Sequence, residues 1–301
     1  MHPRRAFPLL VAVPGLFLLV CRLYPPASLA ALEGFSAPVM ACLHRLTAPI
    51  PFPVTEPLAL ALAVILTSSL IVALRNRRRL RFAVRLLLAP LALLAMLWGP
   101  ALCLPEEPVP TPSGEQLAWL CDRLIDRLNA SPLAFPDPAE ALRRAPSAAG
   151  WPALCVKAVR WPEWMDACRI WGLFVPLTGE ALVDVGAPAP LLPFTAVHEL
   201  MHLSGIADEG AANVAAWDRC MAAGSPFADS ARLWALRYAM GQLHDSDPAA
   251  WSAAQNKMKA ALLRTFLDCG AEAKDHTPRL LSVTRGDYAA LTGYLAGHGG
   301  D

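Results

Sequence analysis

The sequence predicts a mostly helical α+β protein whose apolar N-terminal part precedes a globular C-terminal part. Three observations carry this. Hydrophobic residues make up 55% of the 301 and charged residues only 17%, at a mean hydropathy of +0.38, greasier than an ordinary soluble domain. The apolar residues concentrate in the first 104 positions. The remainder carries amphipathic helical patterns around one short β-branched stretch. Net charge is +1, so no basic footprint points to nucleic acid, and none is expected as a partner.

Residues 1–104 are read as a membrane domain with three transmembrane helices, over about 6–23, 57–74 and 82–104. The second and third, "PLALALAVILTSSLIVAL" and "LLLAPLALLAMLWGPALCL", are long enough to cross a bilayer. The first, "FPLLVAVPGLFLLVC", needs its flanks. Pro8, Pro14, Pro90 and Pro100 break soluble helices but are better tolerated in lipid. A cleaved signal peptide ending at "SLA" (residues 28–30) is the alternative for the first segment. Arg4, Arg5 and the run "RNRRRLRFAVR" (residues 75–85) put the N-terminus and that loop in the cytoplasm, while residues 24–56, with Arg45 as their clear positive charge, form an outer loop. The expectation is a multi-pass protein of the cell (inner, cytoplasmic) membrane, with the lipid bilayer as a partner and the C-terminal part extracytoplasmic.

Residues 105–115 are proline-rich and read as a linker, leaving 116–301 as the outer domain. Leu117, Leu120, Cys121, Leu124, Ile125 and Leu128 recur at helical spacing, and a short helix is expected at "PAEALRR". "GLFVPLTGEALVDVG" (172–186) breaks at Thr178-Gly179 and predicts two short strands or a hairpin. Pro193 suits the first turn of a following helix. Residues 230–244 and 249–269 each read as an amphipathic helix. Cys121, Cys155, Cys168, Cys220 and Cys269 lie in the outer part and Cys42 in the outer loop; none forms a CxxC pair, which argues against a cysteine-based zinc site. An oxidising compartment permits a disulfide such as Cys155–Cys168, though connectivity is not readable from spacing.

The chemistry concentrates in "FTAVHELMHLSGIADEGAANVAAW" (194–217). In "HELMH", His198 and His202 are four residues apart and share one helix face, so two imidazoles reach adjacent corners of a zinc tetrahedron. Glu199 lies beside the open corner as a general base. Burying His, Glu and His unpaired within one turn would cost several kcal/mol, which weighs against an ordinary core helix. Two residues compete as third ligand: Asp208, at the metzincin-type position, and Glu209, which opens a second helix with Asn213 four residues on. Gly205 serves the sharp turn that either needs.

"GLFVPLTGEALVDV" and the stretch just quoted resemble the domain-of-unknown-function 3810 (DUF3810) family of bacterial membrane proteins, predicted zinc metallopeptidases. The likeness extends to "PIPF" (49–52) and "LWG" (97–99). It implies a zincin-like domain over 116–301 and a gluzincin-like site in which His198, His202 and Glu209 hold Zn2+ and Asn213 braces a histidine from behind. "ExxAN" (209–213) also resembles the third-ligand helix of the ImmA/IrrE-like metallopeptidases. Ala211, Leu182 and Pro100 depart from the family pattern.

Thr178, Gly179, Glu180 and Ala181 suit the edge strand to which an extended peptide adds in such folds, with an ordinary structural hairpin as the alternative. Tyr238, His244, His276, Tyr288 and Tyr294 are candidates to stabilise the oxyanion. The expected function is a membrane-anchored zinc metallopeptidase acting on a peptide or protein substrate. The rival of a different class is a non-catalytic zinc-binding or sensory membrane protein with a degenerate peptidase fold. An intramembrane protease is disfavoured by the polarity after His202. An inverted topology, with a cytosolic domain, would be exposed by a C-terminal reporter fusion.

Overall fold

The computed structural model describes residues 6–73, 77–104, 111–130, 132–168, 170–275 and 287–298. The helices are α1 (Ala6–Leu23), α2 (Pro25–Ala31), a π-helical segment (Leu32–Ser36), α3 (Ala37–Thr47), α4 (Thr55–Ala73), α5 (Arg77–Leu102), α6 (Gly114–Asn129), α7 (Pro138–Ala148) and α8 (Glu163–Cys168). After two strands and a 3-10 turn (Ala189–Leu191) come α9 (Leu192–Leu203), α10 (Glu209–Ala223), α11 (Phe227–Ser246), α12 (Pro248–Asn256), α13 (Ala260–Asp275) and α14 (Asp287–His298). Strands β1 (Val156–Ala158), β2 (Gly172–Val175) and β3 (Glu180–Val183) form one small sheet in the order β1-β3-β2. The mostly helical α+β class is therefore what the chain adopts.

Two compact units arise, and they are not colinear with the sequence. The first comprises Met1–Glu106 with two loops from further along, Phe174–Glu180 and Leu203–Ala207; the second comprises Glu107–Leu173, Ala181–His202 and Asp208–Asp301.

In the first unit α5 packs against α1, α4 and the α2–α3 region. Of its helical stretches, one among the described residues, Pro25–Thr47, is long and apolar enough to cross a membrane. This corrects the expectation of three spans, because the stretch falls in what the sequence suggested was an outer loop. Pro25 opens α2, where proline's missing N–H costs nothing, and Pro38 is the second residue of α3, directly after the π-helical segment. Neither ends the helical run, which is continuous from Pro25 to Thr47. The three predicted segments are helical as α1, α4 and α5, but their continuous apolar parts among the described residues, Ala12–Leu23, Thr55–Ile71 and Leu86–Leu102, are shorter.

In the second unit α11 is the central helix, buried at Leu233, Trp234, Ala235, Leu236, Ala239, Met240 and Leu243 and packed by α6, α10, α12, α13 and α14. Ser113 and Gln116 close a capping box at the start of α6, which sets that helix's N-terminus. The hairpin is present, with β2 and β3 flanking the break at Thr178-Gly179, and β1 pairs parallel with β3 in the register Val156↔Ala181, Lys157↔Leu182, Ala158↔Val183. The single helix expected over 249–269 is two. Asn129 Nδ2 donates to Lys257 O at 2.9 Å and Asn129 Oδ1 accepts from Lys259 N at 3.0 Å. Those backbone groups are thereby satisfied at the break between α12 and α13.

Candidate metal centre

α9 is buried on almost every side: Leu192, Phe194, Ala196, Val197, Leu200 and Met201 are each at most 2% exposed. Its start is fixed to α11. Phe194 N donates to Ser230 Oγ at 3.1 Å, and Trp234 Nε1 donates to Leu191 O at 3.1 Å. Into this apolar setting the helix brings His198, Glu199 and His202, only 5–8% exposed. Polar groups buried to that degree need partners.

The two histidines have them in each other and in α10. His198 Nε2 and His202 Nε2 lie 3.0 Å apart, with the rings edge to face at 88°. Glu209 Oε2 lies 3.0 Å from His198 Nε2, and Glu209 Oε1 lies 3.4 Å from His202 Nε2. One ligand atom from each of the three falls within 4.8 Å of the others. Tetrahedral zinc with bonds near 2.0–2.1 Å separates its ligand atoms by roughly 3.3 Å, so the donor set has the spacing such an ion requires. Two imidazole nitrogens turned on one another and on a carboxylate also concentrate lone pairs that a divalent cation would share.

The turn between the two helices is local chemistry. Gly205 has φ +102°, a conformation open to glycine and strained for other residues. Asp208 is the N-cap of α10, its carboxylate accepting from Ala211 N at 2.6 Å. Asp208 is thus engaged with the helix terminus and lies outside the ligand cluster, while Glu209, one residue on, lies in it.

Burial holds the His198 pKa below its ordinary 6.5, and neighbouring His202 adds to this against the opposing pull of Glu209 and Asn213. His198 is therefore a neutral imidazole, the form that binds metal. Burial alone would raise Glu209, but hydrogen bonds from His198 and His202 hold its carboxyl well below the usual range. Behind His198, Asn213 is 1% exposed. Among the described residues neither of its side-chain polar atoms has a hydrogen-bond partner, and neither does His198 Nδ1, although Asn213 is close enough to influence His198. A histidine that gives Nε2 to a cation carries its proton on Nδ1 and needs an acceptor there. The Asn213 amide is the group at hand, so the residues present fit a metal.

Glu199 projects beside β2. A Cβ built on Gly172 would overlap Glu199 Oε1, so only glycine leaves room for the carboxylate at that point. The sequence did not flag Gly172; a glycine opening a β-branched run was the available signal. Next to it in the chain, Trp171 meets Trp234 edge-on with centroids 5.6 Å apart, and Phe194 lies 5.7 Å from Trp234 and 6.3 Å from His198.

The segment Thr178, Gly179, Glu180 and Ala181 is placed elsewhere than expected. β3 is the middle strand of the sheet, and all four residues are buried, so no edge is open there for an added peptide. Within the first unit, the Glu180 carboxylate accepts from Val54 N and Thr55 N at 2.8 Å each and from Thr55 Oγ1 at 2.6 Å. It caps the N-terminus of α4, where a negative charge meets unpaired N–H groups. Gly179 has φ +65°, and its O accepts from His44 Nδ1 at 2.8 Å. A side chain there would run into the backbone of Met40 and His44.

Of the oxyanion candidates, Tyr238 stacks on Trp234 at 5.4 Å and so joins the aromatic group near His198. His244 is exposed against Trp251, and Tyr294 stacks on His298 of α14. His276 and the Tyr288 side chain lie outside the described residues, as does the Cys168 side chain of the suggested disulfide. Cys121 and Cys220 are buried thiols; burial pushes Cys121 up to about 12 and Cys220 higher still, so neither offers a thiolate.

The sequence model of a family described as "Protein of unknown function (DUF3810)" matches residues 108–280. No curated protein and no solved structure matches the chain. The family match covers more than half of the chain and includes the whole histidine and glutamate cluster, and the protein belongs to the DUF3810 family.

Proposed function

We propose that this protein is a membrane-embedded zinc metallopeptidase with a zincin-like outer domain, in which His198, His202 and Glu209 hold the metal and Glu199 is the catalytic base. The observation that carries the reading is the convergence of two imidazoles and a carboxylate within 4.8 Å, with Glu199 on the same helix against a strand that has no side chain at Gly172. Two imidazoles and a carboxylate form a donor set suited to zinc. When bound, zinc lowers the pKa of a water to roughly 7 and polarises a carbonyl oxygen.

The chain's own residues supply the rest. Glu199 takes a proton from the water whose oxygen bonds to the peptide carbonyl carbon, and returns it to the amine nitrogen as the C–N bond breaks. Asn213, the amide behind His198, would fix the ring by accepting from Nδ1 once Nε2 is given to the metal. Support for embedding in lipid comes from the outward apolar residues of the first unit: Leu16 and Leu23 on α1, Val64 and Ile71 on α4, and Leu91 on α5 are 50–74% exposed. Such surfaces suit a bilayer and are unfavourable in water. More than one crossing, and an extracytoplasmic second unit as the arginine distribution suggests, belong to this proposal.

The test is metal content by mass spectrometry and peptide hydrolysis by the purified full-length protein in detergent, beside Glu199→Gln. One zinc per chain with hydrolysis abolished in Glu199→Gln is expected. Zinc retained by both with no hydrolysis by either would favour the non-catalytic sensory reading.

A further inference from the structure

Arg237, on α11, stands out in the second unit. Its guanidinium carbon lies 5.5 Å from the Trp171 ring centroid and 5.6 Å from that of Trp234, and those two rings meet edge-on at 5.6 Å. The cation therefore fills the notch of a T-shaped aromatic pair. Among the described residues no carboxylate is within ion-pair distance of it, whereas Arg144 and Arg232 are paired to Glu140 and Asp229. A half-buried guanidinium set over aromatic rings, with no carboxylate beside it among the described residues, has N–H donors to offer a carboxylate through two parallel bonds.

Its position gives that grip a purpose. Trp171 is bonded to Gly172, the residue against Glu199, and Trp234 packs on Phe194 beside His198. Arg237 is thus within the reach of about five residues of extended chain from the base. β2 is an edge strand of the sheet and begins at Gly172. A peptide paired antiparallel to it runs its C-terminal end towards Trp171.

We propose that Arg237 binds a substrate carboxylate on the C-terminal side of the cut bond, either the free α-carboxylate or an acidic side chain. This rests on the peptidase reading above and names the substrate class of that site: peptides bearing a negative charge a few residues beyond the scissile bond.

The experiment uses zinc-loaded full-length protein in detergent and matched peptides. One pair differs in a free or amidated C-terminus, and another has Glu or Ala at successive positions after the cleavage site. Cleavage is followed by mass spectrometry as kcat/KM. Carboxylate-bearing peptides are expected to be cut about 10- to 100-fold better than their neutral partners, with the preference lost in Arg237→Gln and partly kept in Arg237→Lys. The free-acid pair responding alone assigns the α-carboxylate; the glutamate series responding alone assigns a side chain. Equal cleavage of charged and neutral peptides by the unmodified protein overturns the proposal without recourse to any variant, and so does a preference that survives in a zinc-loaded Arg237→Gln. If no peptide is cut, the peptidase reading itself falls and takes this inference with it.

Discussion

Gly172 and Glu199 share one space: the carboxylate of Glu199 occupies the volume that any side chain at Gly172 would take. The Glu199 carboxylate, the base of the proposed reaction, is positioned by what the neighbouring strand lacks as much as by its own helix. Gly172→Ala is therefore expected to turn the carboxylate away while leaving the three ligands in place. Hydrolysis should fall by about 100-fold, the usual cost of misplacing a catalytic group by an ångström. Zinc content measured beside turnover checks this, and loss of zinc in the variant would show that the effect lies elsewhere.

Asp208 and Glu209 are neighbours with different tasks. Glu209→Ala should lose the metal, because it removes one of three donors. Asp208→Ala should keep it and lose only a helix cap, about 1 kcal/mol of stability. Mass spectrometry for metal and thermal unfolding separate the two, and metal loss following Asp208 would overturn the ligand set.

On the proposed reading Asn213 acts through His198. Its replacement by Ala removes the acceptor facing Nδ1, and metal affinity should drop by about 10- to 100-fold. Competition with a chelator measures it. Equal affinity in both proteins would mean that Asn213 only fills space.

Acidity should release the fold's hold on this site in a definite direction. Burial depresses the His198 pKa below 6.5, so the unfolded chain takes up a proton that the folded one refuses. The resulting stabilisation is fully present above pH 6.5 and is lost as pH falls below it. Glu209, also depressed in the folded state, adds stability that is present above its ordinary 4.5 and disappears as pH falls further. Urea unfolding of the metal-free protein from pH 8 down to about pH 2 should show stability falling through both windows. The slope should flatten in His198→Gln across the upper one.

Glu180 is expected to matter for stability and not for chemistry. Glu180→Ala strands Val54 N, Thr55 N and the Thr55 hydroxyl, at a cost of about 1–3 kcal/mol for a buried unsatisfied group. Faster proteolysis of the first unit, with metal content unchanged, is the expected result.

What was legible in the sequence is what short-range periodicity encodes. The four-residue spacing of His198 and His202, the glycine turn at Gly205 and the hairpin break at Thr178-Gly179 are each settled within a few residues, by helix pitch and backbone sterics. The match to the family, over residues 108–280, includes these positions. The role of Glu180 was not legible, because its partners Val54 and Thr55 lie 126 and 125 residues away and no local pattern distinguishes a cap for a distant helix from a substrate-binding strand. The break at Lys257–Lys259 depended on Asn129, 130 residues earlier. Helicity of residues 25–47 was hidden by prolines whose effect depends on whether they open a turn or interrupt one.

The sequence by itself determined the chemistry available: two imidazoles and a carboxylate on one helix, an acidic residue and an amide on the next. Only the tertiary structure set Glu209 against the histidines and Asp208 at the helix cap, because one residue of helical rotation separates a carboxylate that caps the backbone from one that faces the histidines. It also decided which strand is the edge and where Gly172, Trp171 and Arg237 stand relative to Glu199. Those relations are made by packing between segments far apart in the chain, and no spacing along the chain records them.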